Sequence, residues 1–136
     1  MAILRILVNT IKKYPLSTGA VATIWVLCFC SPPHTPLAQV SMIDKWVHML
    51  MYFITCNLIW CEYALAHKNI SFKKGIGHSW GLPILMSGLI ELLQAYYTNG
   101  RRNGDWLDMA ANSLGATLAI VSGILLATYL SKRKRG

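Results

Sequence analysis

Acidic side chains are scarce in this chain, and three of the five lie near one another where two long apolar segments meet. Glu91 is followed three residues later by Gln94, and Asp105 is followed by Asp108 and then Asn112. Spacings of three and four residues place polar groups on one face of a helix. A charged group at the end of a membrane-embedded helix is costly to bury, so it needs a partner or a function.

A third polar stripe lies earlier in the chain, where Asp44, His48 and Tyr52 repeat at four-residue spacing. Polar side chains that face lipid are expensive, so all three stripes should face the interior of a helix bundle. Arg102 precedes Asp105 in a short turn and should pair with a carboxylate, which would offset part of the cost of burial. The candidate polar site comprises Asp44, His48, Tyr52, Glu91, Gln94, Arg102, Asp105, Asp108 and Asn112.

Imidazole and carboxylate groups are ligands of divalent metals, and this set contains both. Neither HExxH nor a similar metal-binding spacing occurs in the chain, so a metal is the less favoured interpretation and we predict no cofactor. The sequence has no phosphate-binding loop, and no serine nucleophile elbow is predicted. It therefore names no catalytic residue and leaves open whether the protein is an enzyme.

Each candidate residue also has a purely structural interpretation. Asp44 and Asp105 stand at helix starts, where an aspartate can cap the first turn, and His48 alone could be a hydrogen-bonded core residue. Independent caps do not account for Glu91 and Gln94, which lie inside an apolar segment. The residues as a set therefore favour a shared polar site.

The composition indicates that membrane helices must position these residues. Of 136 residues, 54% are hydrophobic and only 13% are charged, with a mean hydropathy of +0.43, whereas a soluble domain carries about 25% charged residues. The net charge of +8 is concentrated in short segments that flank the apolar runs. This arrangement is typical of membrane topology signals, so we predict an integral membrane protein with no nucleic-acid partner.

The apolar runs predict an all-α membrane protein with a single domain over residues 1–136. An amphipathic segment at 1–14 should lie on the membrane surface. Four antiparallel transmembrane helices should follow, at about residues 16–30, 43–66, 78–97 and 105–130. The first of these resembles the hydrophobic region of a signal peptide, but no small-x-small cleavage site follows it, so it should be retained.

Two features of these helices give further predictions. The small residues Gly115, Ala119 and Gly123 form a stripe that lets another helix approach the last one closely. Glu62, near the end of the second helix, should pair with Lys68 or Lys73 in the polar turn at 67–77.

The distribution of basic residues predicts the orientation. Ten of the 13 Lys and Arg residues lie in the N-terminal segment, the 67–77 turn and the C-terminal tail, and three lie on the opposite side. The positive-inside rule therefore places both termini in the cytoplasm. The three polar stripes then converge at the outer face, where they should line one cavity with Tyr52 and Asn112 as its floor.

These residues resemble the motifs of the VanZ-like family of small bacterial membrane proteins. The matching pieces are Asp44-Lys45-x-x-His48-x-x-x-Tyr52, Glu91-x-x-Gln94, and Arg102-x-Gly104-Asp105-x-x-Asp108-x-x-x-Asn112-x-x-Gly115. The resemblance implies a four-helix domain in the bacterial cytoplasmic (inner) membrane, within the cell envelope. The family is named after a protein that gives low-level resistance to the glycopeptide teicoplanin. The resemblance thus implies a link to antibiotic resistance, which need not extend to every member, because one fold hosts many functions.

Three functions are consistent with this pattern. In the first, the polar site binds, or binds and modifies, a lipid-linked or glycolipid envelope molecule, so the partner is a membrane lipid. In the second, the protein is a small proton-coupled transporter, although its acids lie at one end of the helices and not at the midplane. In the third, the polar set joins helices in a structural or partner-binding protein. The sequence gives no prediction of oligomeric state.

Overall fold

The computed structural model describes residues 1–30, 36, 42–100 and 104–136, and the regular structure within these ranges is helical throughout. In these ranges six α-helices follow one another, with one π-helical turn between the fourth and the fifth. Their bounds are α1 Ala2–Lys13, α2 Pro15–Phe29, α3 Ile43–Ala66, α4 Phe72–Ile76, the π-helix Gly77–Gly81, α5 Leu82–Tyr97 and α6 Trp106–Arg135.

Three helices are long and apolar enough to cross a membrane: α3, the continuous helix Phe72–Tyr97 and α6. Within the described residues, the prediction of an all-α chain with long apolar helices is therefore confirmed. The fourth predicted span, α2, has 15 residues and is about 22 Å long at 1.5 Å per residue. That length is shorter than the hydrocarbon core of a bilayer, which is about 30 Å thick.

Helix α1 leaves its apolar side chains uncovered. It has no buried residue, and Ile3, Leu4, Leu7 and Ile11 are all about half exposed or more. Its last turn carries Lys12 and Lys13. An uncovered apolar face beside basic residues is what a helix in the membrane interface presents.

Helices α3 and α6 make the most extensive contact in the structure, because small residues of α6 let the two backbones approach. A Cβ atom at Gly115 would overlap the carbonyl oxygen of Met49, and one at Gly123 would overlap the indole of Trp60. Ala119 between them is fully buried. The predicted small-residue stripe therefore lies against α3.

The helix that was predicted over 78–97 begins six residues earlier, at Phe72. The prediction of a polar turn up to Gly77 was wrong because Gly75 is a packing residue: a Cβ there would overlap the Trp60 ring. The π-helical turn then carries the chain through two further glycines without a break.

Helix α6 extends to Arg135, five residues beyond its predicted end. The basic tail is helical, and Lys134 Nζ donates to the carbonyl oxygens of Ala64 and Leu65 at the end of α3. A lysine at a helix C-terminus satisfies carbonyls that have no partner within the helix and complements its dipole.

The expectation that Glu62 pairs with a lysine was wrong. Its buried carboxylate accepts from Leu16 N at 2.8 Å, from Ser17 N at 2.9 Å and from Ser17 Oγ at 2.6 Å. Glu62 therefore satisfies the free N–H groups at the start of α2, which makes no side-chain cap of its own. This contact fixes α2 against α3.

Candidate functional site

The candidate site lies where the first turns of α3 and α6 meet the last turns of α5. Gly104 makes this meeting possible, since a Cβ atom there would overlap the Glu91 carbonyl oxygen and lie 3.0 Å from the Ala95 Cβ. The chain entering α6 therefore passes directly over α5. The residues that meet at this point form a polar cluster, which we define as Asp44, Lys45, His48, Ser87, Glu91, Asp105, Asp108 and Asn112.

Among the described residues, Lys45 provides the positive charge of the polar cluster. Its Nζ donates to Asp105 Oδ2 at 2.6 Å and also to Asp108 Oδ1. The lysine is largely buried, with 18% of its side chain exposed. Lys45 was not predicted as a site residue, although it stands beside Asp44 in the first of the matching motifs. Arg102, predicted for this role, lies outside the described residues.

Asp105 combines a structural role with an electrostatic one. Its Oδ1 accepts from Leu107 N at 2.8 Å as the N-cap of α6, as the structural interpretation expected. The Lys45 ammonium is the main reason why the pKa of Asp105 is lowered, and the bond from Leu107 N adds to the effect. The carboxylate is therefore held in its charged form.

Glu91 is joined to the polar cluster through the backbone of Asp105, whose N–H donates to Glu91 Oε2 at 2.7 Å. The glutamate is only 3% exposed. Its other oxygen, Oε1, has no hydrogen-bond partner within the part of the chain that the structure describes. Glu91 and His48 are both buried inside the bundle rather than directed to lipid.

A buried hydrogen-bond chain crosses the bundle beneath the carboxylates. His48 Nδ1 lies 3.1 Å from Asn112 Oδ1, and Asn112 Nδ2 donates to Ser87 Oγ at 2.8 Å. The Tyr52 hydroxyl lies beside Ser87, one turn below His48. Each of α3, α5 and α6 contributes to this chain, and Ser87 is a member that sequence analysis missed because serine is common in apolar helices.

His48 Nε2 is directed to two carboxylates. It lies 3.7 Å from Asp44 Oδ1, on its own helix, and 3.7 Å from Asp108 Oδ2, on α6. One ligand atom from each of the three residues lies within 4.8 Å of the other two. These three side chains could therefore hold a metal ion, and no local motif reveals the set because its members come from two helices.

Asp44 forms the exposed side of the polar cluster. Its side chain is 57% exposed, whereas that of Asp108 is 10% exposed. The structural interpretation of Asp44 as a helix cap is not supported, since Met42 is the N-cap residue of α3 and makes no side-chain cap bond. The polar cluster is thus buried below and open above.

Among the described residues, the hydrogen bonds of Gln94 lie outside the polar cluster. Its Nε2 donates to the carbonyl oxygen of Cys28 at 2.7 Å, and its own carbonyl accepts from Thr98 Oγ1 at 2.7 Å. The predicted site residue therefore ties α5 to the end of α2.

The π-helical turn contains the sequence Gly77-His78-Ser79-Trp80-Gly81, which has the spacing of a nucleophile elbow. An elbow holds its serine exposed on a sharp turn between a strand and a helix. Ser79 instead lies inside a helix and is 1% exposed, so the geometry does not support an elbow here.

Comparison of the chain with models of protein families, with curated proteins and with solved structures found no match. The function therefore has to be inferred from the polar cluster and from its position on the bundle.

Proposed function

We propose that this chain is a VanZ-like integral membrane protein of the bacterial cell envelope that binds a lipid-linked or glycolipid molecule through its polar cluster. In this proposal four antiparallel helices span the cytoplasmic membrane, both termini are cytoplasmic and the polar cluster faces outward. The resemblance of the motifs supports the family, and the excess of basic residues at the opposite end of the bundle supports the orientation.

One observation carries the proposal: the polar cluster opens at the level of an aromatic belt. Trp46, Tyr96, Tyr97 and Trp106 lie at this end of the bundle, and each is 63% exposed or more. Exposed tryptophan and tyrosine side chains are enriched where membrane meets water. The carboxylates of Asp44 and Asp105 would therefore open at the depth of lipid headgroups.

The chemistry of the polar cluster fits a headgroup that carries hydroxyl or amino groups. The accessible carboxylates of Asp44 and Asp105 are hydrogen-bond acceptors, and a sugar offers several donors. The buried chain from His48 to Ser87 holds the helices behind these acceptors in a fixed arrangement. A rigid support of this kind lowers the cost of ordering a binding site.

The experiment is native mass spectrometry of the protein released from nanodiscs made with bacterial lipids. We expect the wild type to retain a lipid-linked or glycolipid species that Asp44→Asn loses, because Asp44 is exposed and its contacts with Lys45 and His48 are both as long as 3.7 Å. Lys132→Gln is the matched control, since it also removes one charge but lies at the other end of α6. Equal lipid profiles for all three proteins would argue against the proposal.

The structure also favours a second candidate, in which the polar cluster serves as an interhelical joint. Lys45 bridges α3 to α6, and Asn112 connects α6 to both His48 and Ser87. If this were its only role, Asn112→Leu would lower the thermal stability while lipid retention by the remaining folded protein stayed unchanged. Loss of lipid from folded Asp44→Asn protein would exclude a purely structural role.

A further inference from the structure

The hydrogen bonds of the polar cluster fix which nitrogen of His48 is available. Asn112 donates through Nδ2 to Ser87, so its Oδ1 is the atom that faces His48. A bond to an amide oxygen requires a donor, which assigns the ring hydrogen to Nδ1. Nε2 is then the ring nitrogen that faces Asp44 and Asp108.

Nε2 therefore faces two carboxylates. His48 is 4% exposed, and in the described ranges Nε2 has no hydrogen-bond donor, only carboxylate oxygens 3.7 Å away. A histidine that binds a metal through one ring nitrogen usually donates a hydrogen bond through the other. His48 has this arrangement, with Asn112 as the acceptor at Nδ1 and the two carboxylates at Nε2. A cation between the three groups would be attracted by both carboxylates and could be coordinated by Nε2.

The distances fit a single ion after a small movement. Ligands about 2.1 Å from a common cation lie roughly 3.0 to 3.5 Å apart, and the two distances from Nε2 are 3.7 Å. All three ligand atoms lie within 4.8 Å of one another. Rotation of the exposed Asp44 side chain can close the remaining gap, while His48 and Asp108 are held by their buried partners.

The charge balance favours the same conclusion. Asp44, Asp105 and Asp108 share one described cation at this end of the bundle, Lys45, whose Nζ lies 3.7 Å from Asp44 and closer to the other two. Asp108 divides its oxygens, with Oδ1 toward Lys45 and Oδ2 toward His48. The Oδ2 atom therefore stays available to a second cation.

We propose that Asp44, His48 and Asp108 bind one divalent transition-metal ion, Zn²⁺ or Mn²⁺. One imidazole and two carboxylates suit these ions, and three protein ligands leave an open coordination position. That position faces the exposed side of the polar cluster. Only the identity of the final ligand rests on the proposed function: an oxygen of the lipid headgroup, from a phosphate or a sugar hydroxyl, would complete the coordination.

The test uses the full chain, purified in detergent, freed of lipid and stripped with EDTA. MnCl₂ is added and the free ion is followed by electron paramagnetic resonance, and ZnCl₂ is then added in competition. We expect one Mn²⁺ per chain, displaced by Zn²⁺ and not by the same concentration of Mg²⁺. Asp44→Asn should weaken binding at least about tenfold, as should Asn112→Leu, which removes the partner that orients His48.

Lys132→Gln is the control, because it removes one charge at the far end of α6, and the affinity of this variant for Mn²⁺ should stay within about twofold of wild type. Thermal melting without metal verifies that each variant is folded. Asp44→Asn is the most informative variant, because Asp44 is exposed and its substitution should disturb the fold least. Failure of the wild type to bind Mn²⁺, or equal binding by Asp44→Asn, would overturn the site.

Native mass spectrometry with and without added Zn²⁺ separates this inference from the proposed function. If the wild type binds metal but retains no lipid whose binding depends on Asp44, the result would support the metal site and contradict headgroup binding. Lipid retention that depends on Asp44, in a protein that binds no metal, would contradict the metal site and support headgroup binding.

Discussion

At the scale of single residues, the sequence identifies several of the buried polar groups but not how they are paired. His48, Glu91, Asp108 and Asn112 were selected because polar groups at helical spacing cannot face lipid, and all four are buried. The cation could not be chosen in the same way. Lys45 is 60 positions from Asp105, and no local spacing reports a contact between helices so distant in sequence.

The bridge from Lys45 gives a prediction about stability. Lys45→Met would leave the largely buried Asp108 carboxylate without its cation, and we expect the free energy of unfolding to fall by about 1 to 3 kcal/mol. Unfolding in mixed micelles with increasing SDS measures this change. Adding Asp108→Asn to Lys45→Met should recover part of the loss, since an unpaired buried charge is then removed.

Lys68→Met provides the control for this prediction, because Lys68 is an exposed lysine with no ion pair among the described residues. Its stability should stay within about 0.5 kcal/mol of wild type, as is usual for surface changes. Equal unfolding curves for Lys45→Met and Lys68→Met would mean that the bridge contributes nothing.

At the scale of helices, the apolar runs predicted approximate helix bounds, and the small-residue pattern predicted the close approach of another helix to the last one. The limits of α3, Ile43–Ala66, agree with the prediction to the residue. The start at Phe72 was missed because glycines usually mark turns. Gly75 instead admits the Trp60 ring, a tertiary contact that the local sequence does not show.

The contact of α3 with α6 predicts different outcomes for two glycine substitutions. Gly115→Ala should lower the free energy of unfolding by about 1 to 3 kcal/mol, because its Cβ would overlap the backbone of Met49. Gly19→Ala, in α2, has nothing within 4 Å of the new atom and should be neutral or stabilising by up to about 1 kcal/mol. Thermal melting of both variants in the same detergent compares them, and equal melting temperatures would contradict the close packing.

At the scale of the whole molecule, composition was sufficient to predict a helical membrane protein, because few charges and long apolar runs leave little alternative. The number of spans depends on α2, whose 15 residues are marginal in length. Its attachment explains how so short a helix is held, since Glu62 anchors its first turn and Gln94 bonds to Cys28 near its end. Neither contact follows from hydropathy.

The orientation can be tested with cysteines placed at the two ends of the bundle. In a background that lacks Cys28, Cys30, Cys56 and Cys61, we expect Asn99→Cys to react with a membrane-impermeant maleimide in intact cells. Lys68→Cys should react only after lysis. Asn99 and Lys68 are both exposed, so the difference reports the side of the membrane. The reverse pattern would place the polar cluster in the cytoplasm and remove the basis for binding an outer-leaflet molecule.

The same assay decides whether α2 crosses the membrane. Residues that precede α2 lie on the side of Lys68 if four helices span the bilayer, and on the side of Asn99 if only the three long helices do. Asn9, on the exposed surface of α1, reports this directly, and we expect Asn9→Cys to be protected in intact cells and labelled after lysis. The excess of basic residues in α1 and the anchoring of α2 by Glu62 at the Lys68 end both favour that result. Labelling of Asn9→Cys in intact cells, alongside Asn99→Cys, would mean that α2 enters the bilayer without crossing it and that the bundle has three spans.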